Sequence, residues 1–371
     1  GVYCSKCLSH QRRDFRRNGH YTRCLITCWG RVILNVPQLE CQCGGNVCFK
    51  YQTVRPRQRI WDDLEMEIQV EYRRGLSYRQ IKADLDARLQ SSLGLRTLNE
   101  RVLPLGEASL SVVGWKKGEL PPVVRVDGIW ITVMFSTEET QTDKIGRKRI
   151  VKQSKRVPIL AAQGVWPSSG RTQLLGWMRG DGEDLDSWRT FLEALYEAGM
   201  TPENGLALLV SDGGPGFRAA YESVYWRVPL QRCVFHKLRN VARAIRTPSR
   251  MDREAARQYR TEIIRSAARI WQAAEEMEAR QLKEAFCEAW RDKQAKAIQT
   301  LERDFEDTLT FYAVQEQAVL QGEEWPAHFL RTTSPLERMF REFRRRFRNA
   351  LSFHSTTGLQ ATTAQIAARF S

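Results

Sequence analysis

With 371 residues, 42% of them hydrophobic and 27% charged, the chain is long enough for two or three domains with real cores and is ordinary for a protein that folds in water. Its 58 Lys and Arg against 43 Asp and Glu leave a net charge of +15, which favours a polyanionic partner, nucleic acid before any other. No apolar run is long enough to span a membrane and the start has no secretory pattern, so a cytoplasmic location is expected; the absence of an initiating Met points to a trimmed start.

Seven of the nine cysteines precede residue 50, a crowding that reads as metal ligation before disulfides. Residues 1–52 therefore form a predicted zinc ribbon-like head. Cys4 and Cys7 make one knuckle, and Cys41 and Cys43, followed by two glycines, make a second and tighter one. Four thiolates give closed tetrahedral coordination of a structural Zn²⁺. Because the second spacing is short, Cys48 is a rival fourth ligand. Cys24 and Cys28 are a further pair or buried thiols, and His10 and His20 are spare candidates.

Residues 60–110 carry three predicted helices. Asp62–Arg74 is the first. Gly75 breaks it, Ser77 caps a second through about Leu89, and Thr97 caps a third. Helix, tight turn, helix and helix is a helix-turn-helix pattern, in which Arg79, Lys82, Arg88, Arg96 and Arg101 would face DNA. The competing reading is a helical connector with solvated charges.

From residue 120 the chain turns β-rich. Val123–Phe135 is a strand with Asp127 inside an apolar run, and residues 136–155 are a basic hairpin loop or disordered tip. Val157–Trp166 and Gln173–Trp177 are further strands. Asp184 or Asp186 opens a helix through about Ala198 that buries Trp188, Phe191, Leu192 and Leu195. Gly205–Val210 is a strand ending at Ser211-Asp212-Gly213-Gly214; Phe217–Val224 is a helix and Val228–Val234 a strand. That order is the order of a ribonuclease H-like α/β core, here assigned to residues 120–240. Residues 241–330, rich in Ala, Glu, Arg and Gln, form an all-helical insertion whose Trp271, Trp290 and Trp325 are core by default. Residues 331–371 return to the core with one more helix and a C-terminal tail. In that helix Ser334 is the predicted N-cap, Pro335 the first helical residue and Glu337 the partner in a capping box. Met339, Phe340, Phe343 and Phe347 make its apolar face. Arg338, Arg341, Arg344, Arg345, Arg346 and Arg348 make a cationic one, suited to DNA phosphates.

Three carboxylates stand out. Asp127 lies mid-strand, where a charge costs desolvation unless paired or metal-bound. Asp212 follows a strand's C-terminal end, the edge at which α/β sheets bind ligands. Glu337 is in the first turn of the last helix. Carboxylates from separate elements suit a pair of hard cations such as Mg²⁺.

Taken together, Val126-Asp127-Gly128, Trp188-x-x-Phe191-Leu192, Ser211-Asp212-Gly213-x-x-Gly216-Phe217, Cys233-x-x-His236 and Thr333-Ser334-x-x-Glu337-Arg338 occur in a fixed order. In this the chain resembles the DDE transposases of the Mutator-like superfamily, bacterial insertion-sequence members included. The resemblance implies that Asp127, Asp212 and Glu337 are catalytic and hold two Mg²⁺ (or Mn²⁺) ions. It implies hydrolysis at transposon ends followed by 3′-hydroxyl attack on target DNA, and a homodimer or higher assembly that pairs two ends. Cys233 and His236 then belong to a family motif, as an incomplete zinc site, a packing element, or a phosphate contact through His236. Two rivals stand beside this reading: a non-catalytic, sequence-specific DNA-binding protein, and a nuclease acting on RNA–DNA hybrids.

Overall fold

In a computed structural model of the chain, residues 2–49, 53–55, 57–89, 92–106, 108–349, 353 and 355–370 are described. They divide into two compact units, residues 1–107 and 108–371.

In the first unit β1 (Val2–Cys4) pairs antiparallel with β4 (Val47–Phe49), and β2 (Phe15–Thr27) with β3 (Gly30–Cys41). Three helices follow: α1 (Asp62–Arg73), α2 (Tyr78–Leu89) and α3 (Leu95–Val102). Leu64, Ile68, Ile81, Leu85, Leu98 and Val102 are buried on their inner faces. Gly75, at φ +104°, supplies the left-handed residue that ends α1. Ser77 and Gln80 cap α2 reciprocally: the Gln80 amide donates to Ser77 Oγ at 3.3 Å, and the Ser77 amide to Gln80 Oε1 at 2.9 Å. Thr97 is not a cap. The Leu98 amide already bonds the Gly94 carbonyl at 3.2 Å, so α3 starts before Thr97 and encloses it.

The second unit is built on a six-stranded mixed sheet. Its strands are β5 (Leu110–Val112), β6 (Val123–Thr142), β7 (Lys148–Trp166), β8 (Arg171–Arg179), β9 (Leu208–Ser211) and β10 (Leu230–Arg232), in the order β10-β9-β6-β7-β8-β5. β6 is the hinge of the topology: antiparallel to β7 on one side, parallel to β9 on the other. Its side chains alternate between faces, and both faces are covered from Val123 to about Ile129, which is why that part reads as a continuous apolar run; from Trp130 on every second side chain is less buried. Val124 and Val126 face α4 (Leu185–Glu197) and α5 (Pro215–Val224), which contribute Trp188, Phe191, Leu192, Leu195 and Phe217. Ile129, Ile131 and Val133 join the apolar side of α12 (Ser334–Asn349) and α13 (Thr356–Ala367), including Leu336, Phe340 and Phe343.

The remaining helices are α6 (Val234–Ala244), α7 (Arg253–Arg269), α8 (Glu276–Trp290), α9 (Ala295–Glu302), α10 (Thr310–Leu320) and the single turn α11 (Ala327–Leu330). They share one core with the sheet, since Ile263, Trp271, Phe286, Ile298 and Phe311 cluster with Val123, Val165, Leu208 and Val210. Trp271 and Trp325 are buried and Trp290 is half-buried against Tyr259, so all three serve packing. No described helix is long and apolar enough to cross a membrane.

Three local expectations are revised. Residues 136–155 are neither a long loop nor disordered: β6 and β7 stay paired out to Thr142 opposite Lys148, and Asp143 closes the tip by accepting from the Ile145 and Arg147 amides, each at 2.9 Å. Val234 opens α6 instead of ending a strand. The helix α12 begins one residue early. The Glu337 amide bonds the Thr333 carbonyl at 3.1 Å, which places Ser334 and Pro335 inside the first turn and dissolves the predicted Ser334 capping box.

Candidate active site

β9 pairs with β6 only across Val123–Arg125, so beyond that point the β9 side of β6 is open and Asp212 emerges beside it. Asp127 lies two residues past this pairing and is only 8% exposed. Its Oδ1 accepts from the adjacent Gly128 amide at 2.8 Å. Asp212 turns the chain sharply: its Oδ1 accepts from the Gly214 amide at 3.0 Å, with Gly213 between them at φ +75°, a conformation that favours glycine. Glu337 reaches the same place from the first turn of α12. Its Oε1 lies 3.1 Å from His236 Nε2 and 3.5 Å from an Arg239 nitrogen.

Ligand atoms of Asp127, His236 and Glu337 all lie within 4.8 Å of one another. Asp212 stands outside that tight group, but its charge acts on Asp127. Burial, then repulsion from Asp212, pushes the Asp127 carboxyl up to about 8, against the pull of His236 and the Gly128 amide. A buried carboxyl under that pressure, with two more carboxylates converging on it, is the donor set for a cation. A divalent ion would reverse the local balance and let Asp127 ionise. The residues present fit oxygen-ligated Mg²⁺ or Mn²⁺.

The Cys233-x-x-His236 motif acts on Glu337 and on the start of α12. Cys233 Sγ accepts from the Thr333 amide at 3.3 Å and from its hydroxyl at 3.4 Å, and His236 Nδ1 lies 3.4 Å from the same hydroxyl. Burial lowers the pKa of His236, but its bond to the Cys233 thiol and the charges of Cys233 and Asp127 outweigh this and leave it raised. His236 is 5% exposed and fully engaged, so it offers no surface to a DNA phosphate, and Cys233 belongs to no thiol cluster among the described residues.

In the other unit, the Sγ atoms of Cys4, Cys7, Cys41 and Cys43 lie within 4.8 Å of each other, with Cys4–Cys43 at 3.5 Å and Cys7–Cys41 at 3.6 Å. Tetrahedral coordination with Zn–S near 2.3 Å places neighbouring sulfurs about 3.8 Å apart, close to what is seen. A side chain at Gly45 would stand 2.6 Å from Cys4 Sγ, so the tight second knuckle requires that glycine. Cys24, Cys28, His10 and His20 are not in the cluster; Cys28 Sγ donates to Asp63 at 2.9 Å instead. The side chain of Cys48 lies outside the described residues.

The cationic candidates separate. On α12, Arg338, Arg341, Arg344, Arg345 and Arg348 are exposed, whereas Arg346 is buried at 8% and is not part of that surface. In the three-helix region Lys82 pairs with Asp86, Arg88 with Glu67 and Asp84, Arg96 with Glu100 and Arg101 with Glu65, while Arg79 is exposed. Two residues carry weight the sequence did not reveal. Arg125, fully buried, donates to the Phe329 carbonyl at 2.8 Å and to Gln163 at 3.3 Å, fastening β6 to the segment just before α12. Arg239 is the second cation on Glu337.

A family model described as "Transposase, Mutator family" matches residues 5–94 and 142–368. The chain belongs to that family. Residues 95–141 fall between the matched segments, so the placing of Asp127 rests on its geometry. Among relatives of this Mutator-family transposase is the transposase for insertion sequence element IS406 of Burkholderia multivorans, 32% identical over 53% of this chain and 45% of that protein. Another is the transposase for insertion sequence element IS256 in transposon Tn4001 of Staphylococcus aureus, 26% identical over 91% of this chain and 76% of that protein. The chain thus spans about half the length of the first and three quarters of the second. A solved structure, the Drosophila P element transposase strand transfer complex, covers 86% of the chain and is itself covered to 92%, with TM-score 0.48 and 10% identity.

Proposed function

We propose that this chain cuts and joins DNA as a DDE transposase, with Asp127, Asp212 and Glu337 as its catalytic carboxylates. The observation that carries the reading is the convergence of Asp127 and Glu337 within ligand distance, with the charge of Asp212 pressing on both the site and its buried aspartate. On this reading the strand order around β6 is a ribonuclease H-like core, interrupted by the all-helical insertion. Mg²⁺ or Mn²⁺ ions held by the three carboxylates would activate an attacking oxygen and stabilise a leaving one.

The chain's own residues do the rest. Asp127, desolvated on β6, sets the fixed edge of the site, and His236 and Arg239 orient Glu337. The exposed arginines of α12 neutralise phosphates of the bound DNA. In the first step water adds to a phosphodiester at the transposon end and the strand leaves as a 3′-hydroxyl. In the second that hydroxyl attacks a target phosphodiester and expels a new 3′-hydroxyl, so one bond is made for each one broken. The zinc ribbon (Cys4, Cys7, Cys41, Cys43) and the helix-turn-helix, with Arg79, Lys82 and Arg96, bind the terminal inverted repeats. The working form on DNA is a dimer or larger, in the bacterial cytoplasm.

The test is Mg²⁺-dependent cleavage of terminal-repeat DNA by wild type and by Asp127→Asn, Asp212→Asn and Glu337→Gln singly. Each variant should lose cleavage and keep DNA binding. Wild type that binds tightly and never cuts would instead favour a purely DNA-binding protein.

A further inference from the structure

Glu183 lies in the short turn between β8 and α4, just before the residue that caps α4, Asp184. Two glycines of the motif stretches make room for this turn. Gly128 follows Asp127, and a Cβ there would collide with the Glu183 carboxylate. Gly216 follows Asp212 by four residues, and a Cβ there would collide with the Glu183 backbone carbonyl and with Asp184. The turn is therefore pressed against both aspartate-bearing segments by backbone with no side chain in the way.

Strand alternation fixes the side on which this happens. Asp127 points to the α12 face of β6, so Gly128 opens on the α4 face. Glu183 thus arrives at the same point of the strand from the side opposite Asp127. Asp212, at the open side of β6 between the faces, acts on both: its charge raises Glu183 as it raises Asp127, in Glu183 after the larger effect of burial. Trp130 and Arg156, whose guanidinium lies 5.3 Å from the Trp130 ring centroid, act on Glu183 in the opposite sense and favour its ionised form. A half-buried acid that feels the charge of Asp212 and fills the space left by the missing side chain of Gly128, next to Asp127, is placed to join a cation site.

We propose that Glu183 is a fourth carboxylate of the metal site, sharing a divalent cation with Asp212. The proposal rests on the two-cation reading above and adds a ligand to it. Asp127 then lies between two positions, one on the Glu337 side of β6 and one on the Glu183 side. Gly128 gains a reason to be glycine that the three-carboxylate site does not supply.

The experiment is a Mn²⁺ titration of the full chain, following free Mn²⁺ by electron paramagnetic resonance. Wild type should bind two ions. Glu183→Gln should weaken one of them about tenfold or more, with the melting temperature and terminal-repeat DNA binding unchanged. Glu183→Asp, which keeps the charge and withdraws the carboxylate by one methylene, should give a smaller loss at the same ion, and it serves if the Gln variant folds poorly. Gly128→Ala, which displaces the carboxylate without altering it, should reproduce the Gln result. A Mn²⁺ isotherm unchanged in Glu183→Gln and Glu183→Asp overturns the proposal. Asp127→Asn separates the two layers of the argument. If it loses Mn²⁺ while the Glu183 variants do not, only the fourth carboxylate fails; if it too binds Mn²⁺ like wild type, the two-cation reading fails with it.

Discussion

Removing His236 tests how Glu337, the proposed catalytic glutamate, is held. His236→Ala deletes the 3.1 Å contact with Glu337 and the 3.4 Å contact with Thr333. A hydrogen bond to a charged group contributes about 1.5–3 kcal/mol. The lower part of that range applies, because the Glu337 side chain is 27% exposed and keeps Arg239 at 3.5 Å. About 1.5–2 kcal/mol of lost orientation corresponds to a fall of about 10- to 30-fold in the cutting rate. The assay is single-turnover, Mg²⁺-dependent cleavage of labelled terminal-repeat DNA, at a temperature well below the variant's unfolding transition. Glu337→Gln, run in parallel, should lose far more. A His236→Ala protein that cuts within twofold of wild type would refute the orienting role and return the motif to packing alone.

Other outcomes follow from single features. Lys237 is buried beside the Arg303 carbonyl, and burial lowers its pKa to about 8. The unfolded chain therefore binds the extra proton between about pH 8 and 10.4, and stability should rise with pH across that window. Lys237→Met should be more stable than wild type by about 2 kcal/mol at pH 7 in urea melts, after allowing about 1 kcal/mol for the orphaned carbonyl, and the gap should close by about pH 10; a gap that does not change with pH contradicts this. Gly45→Ala should cut the zinc content per chain by more than half, measured by elemental analysis, and full zinc occupancy would show that the knuckle tolerates the clash. Arg344→Ala should lower the salt-dependence slope of DNA binding by about one, whereas the buried Arg346→Ala should leave the slope alone and lower the melting temperature. Equal slopes for the two variants would remove the distinction drawn between them.

Much of the architecture was readable because strong local signals agree with the fold. The apolar run of β6 and the helical spacing of Phe340, Phe343 and Phe347 each have one physical solution, and of the two openings the sequence offered for α4, Asp184 and Asp186, Asp184 is the cap. What escaped was set by distant partners. Ser334 looks like a cap by residue type, yet Cys233 Sγ accepts from the Thr333 amide and Thr332 Oγ1 from the Ser334 amide, and the helix winds one step earlier. Arg346 reads as one of six cationic residues, yet three positions after Phe343 and beside Phe347 it falls on the buried side of α12. Residues 136–155 lack the apolar alternation of a packed strand because that ribbon pairs with itself and covers no core. Arg125 and Glu183 carry no motif: one is recognised by a carbonyl 204 residues away, the other by the absence of side chains at Gly128 and Gly216.

The route of the chain has a consequence for synthesis. The face of β6 formed by Ile129, Ile131 and Val133 is covered by α12 and α13, which leave the ribosome only after the whole helical insertion has done so. Until then a nascent chain exposes an apolar sheet face and has Asp127 and Asp212 but not Glu337. The insertion shares its core with Val123 and Val210 and carries Phe329, whose carbonyl Arg125 binds just before the returning segment. On the proposed reading the third carboxylate arrives only with the last helices made, and until then the open apolar face is one that chaperones bind.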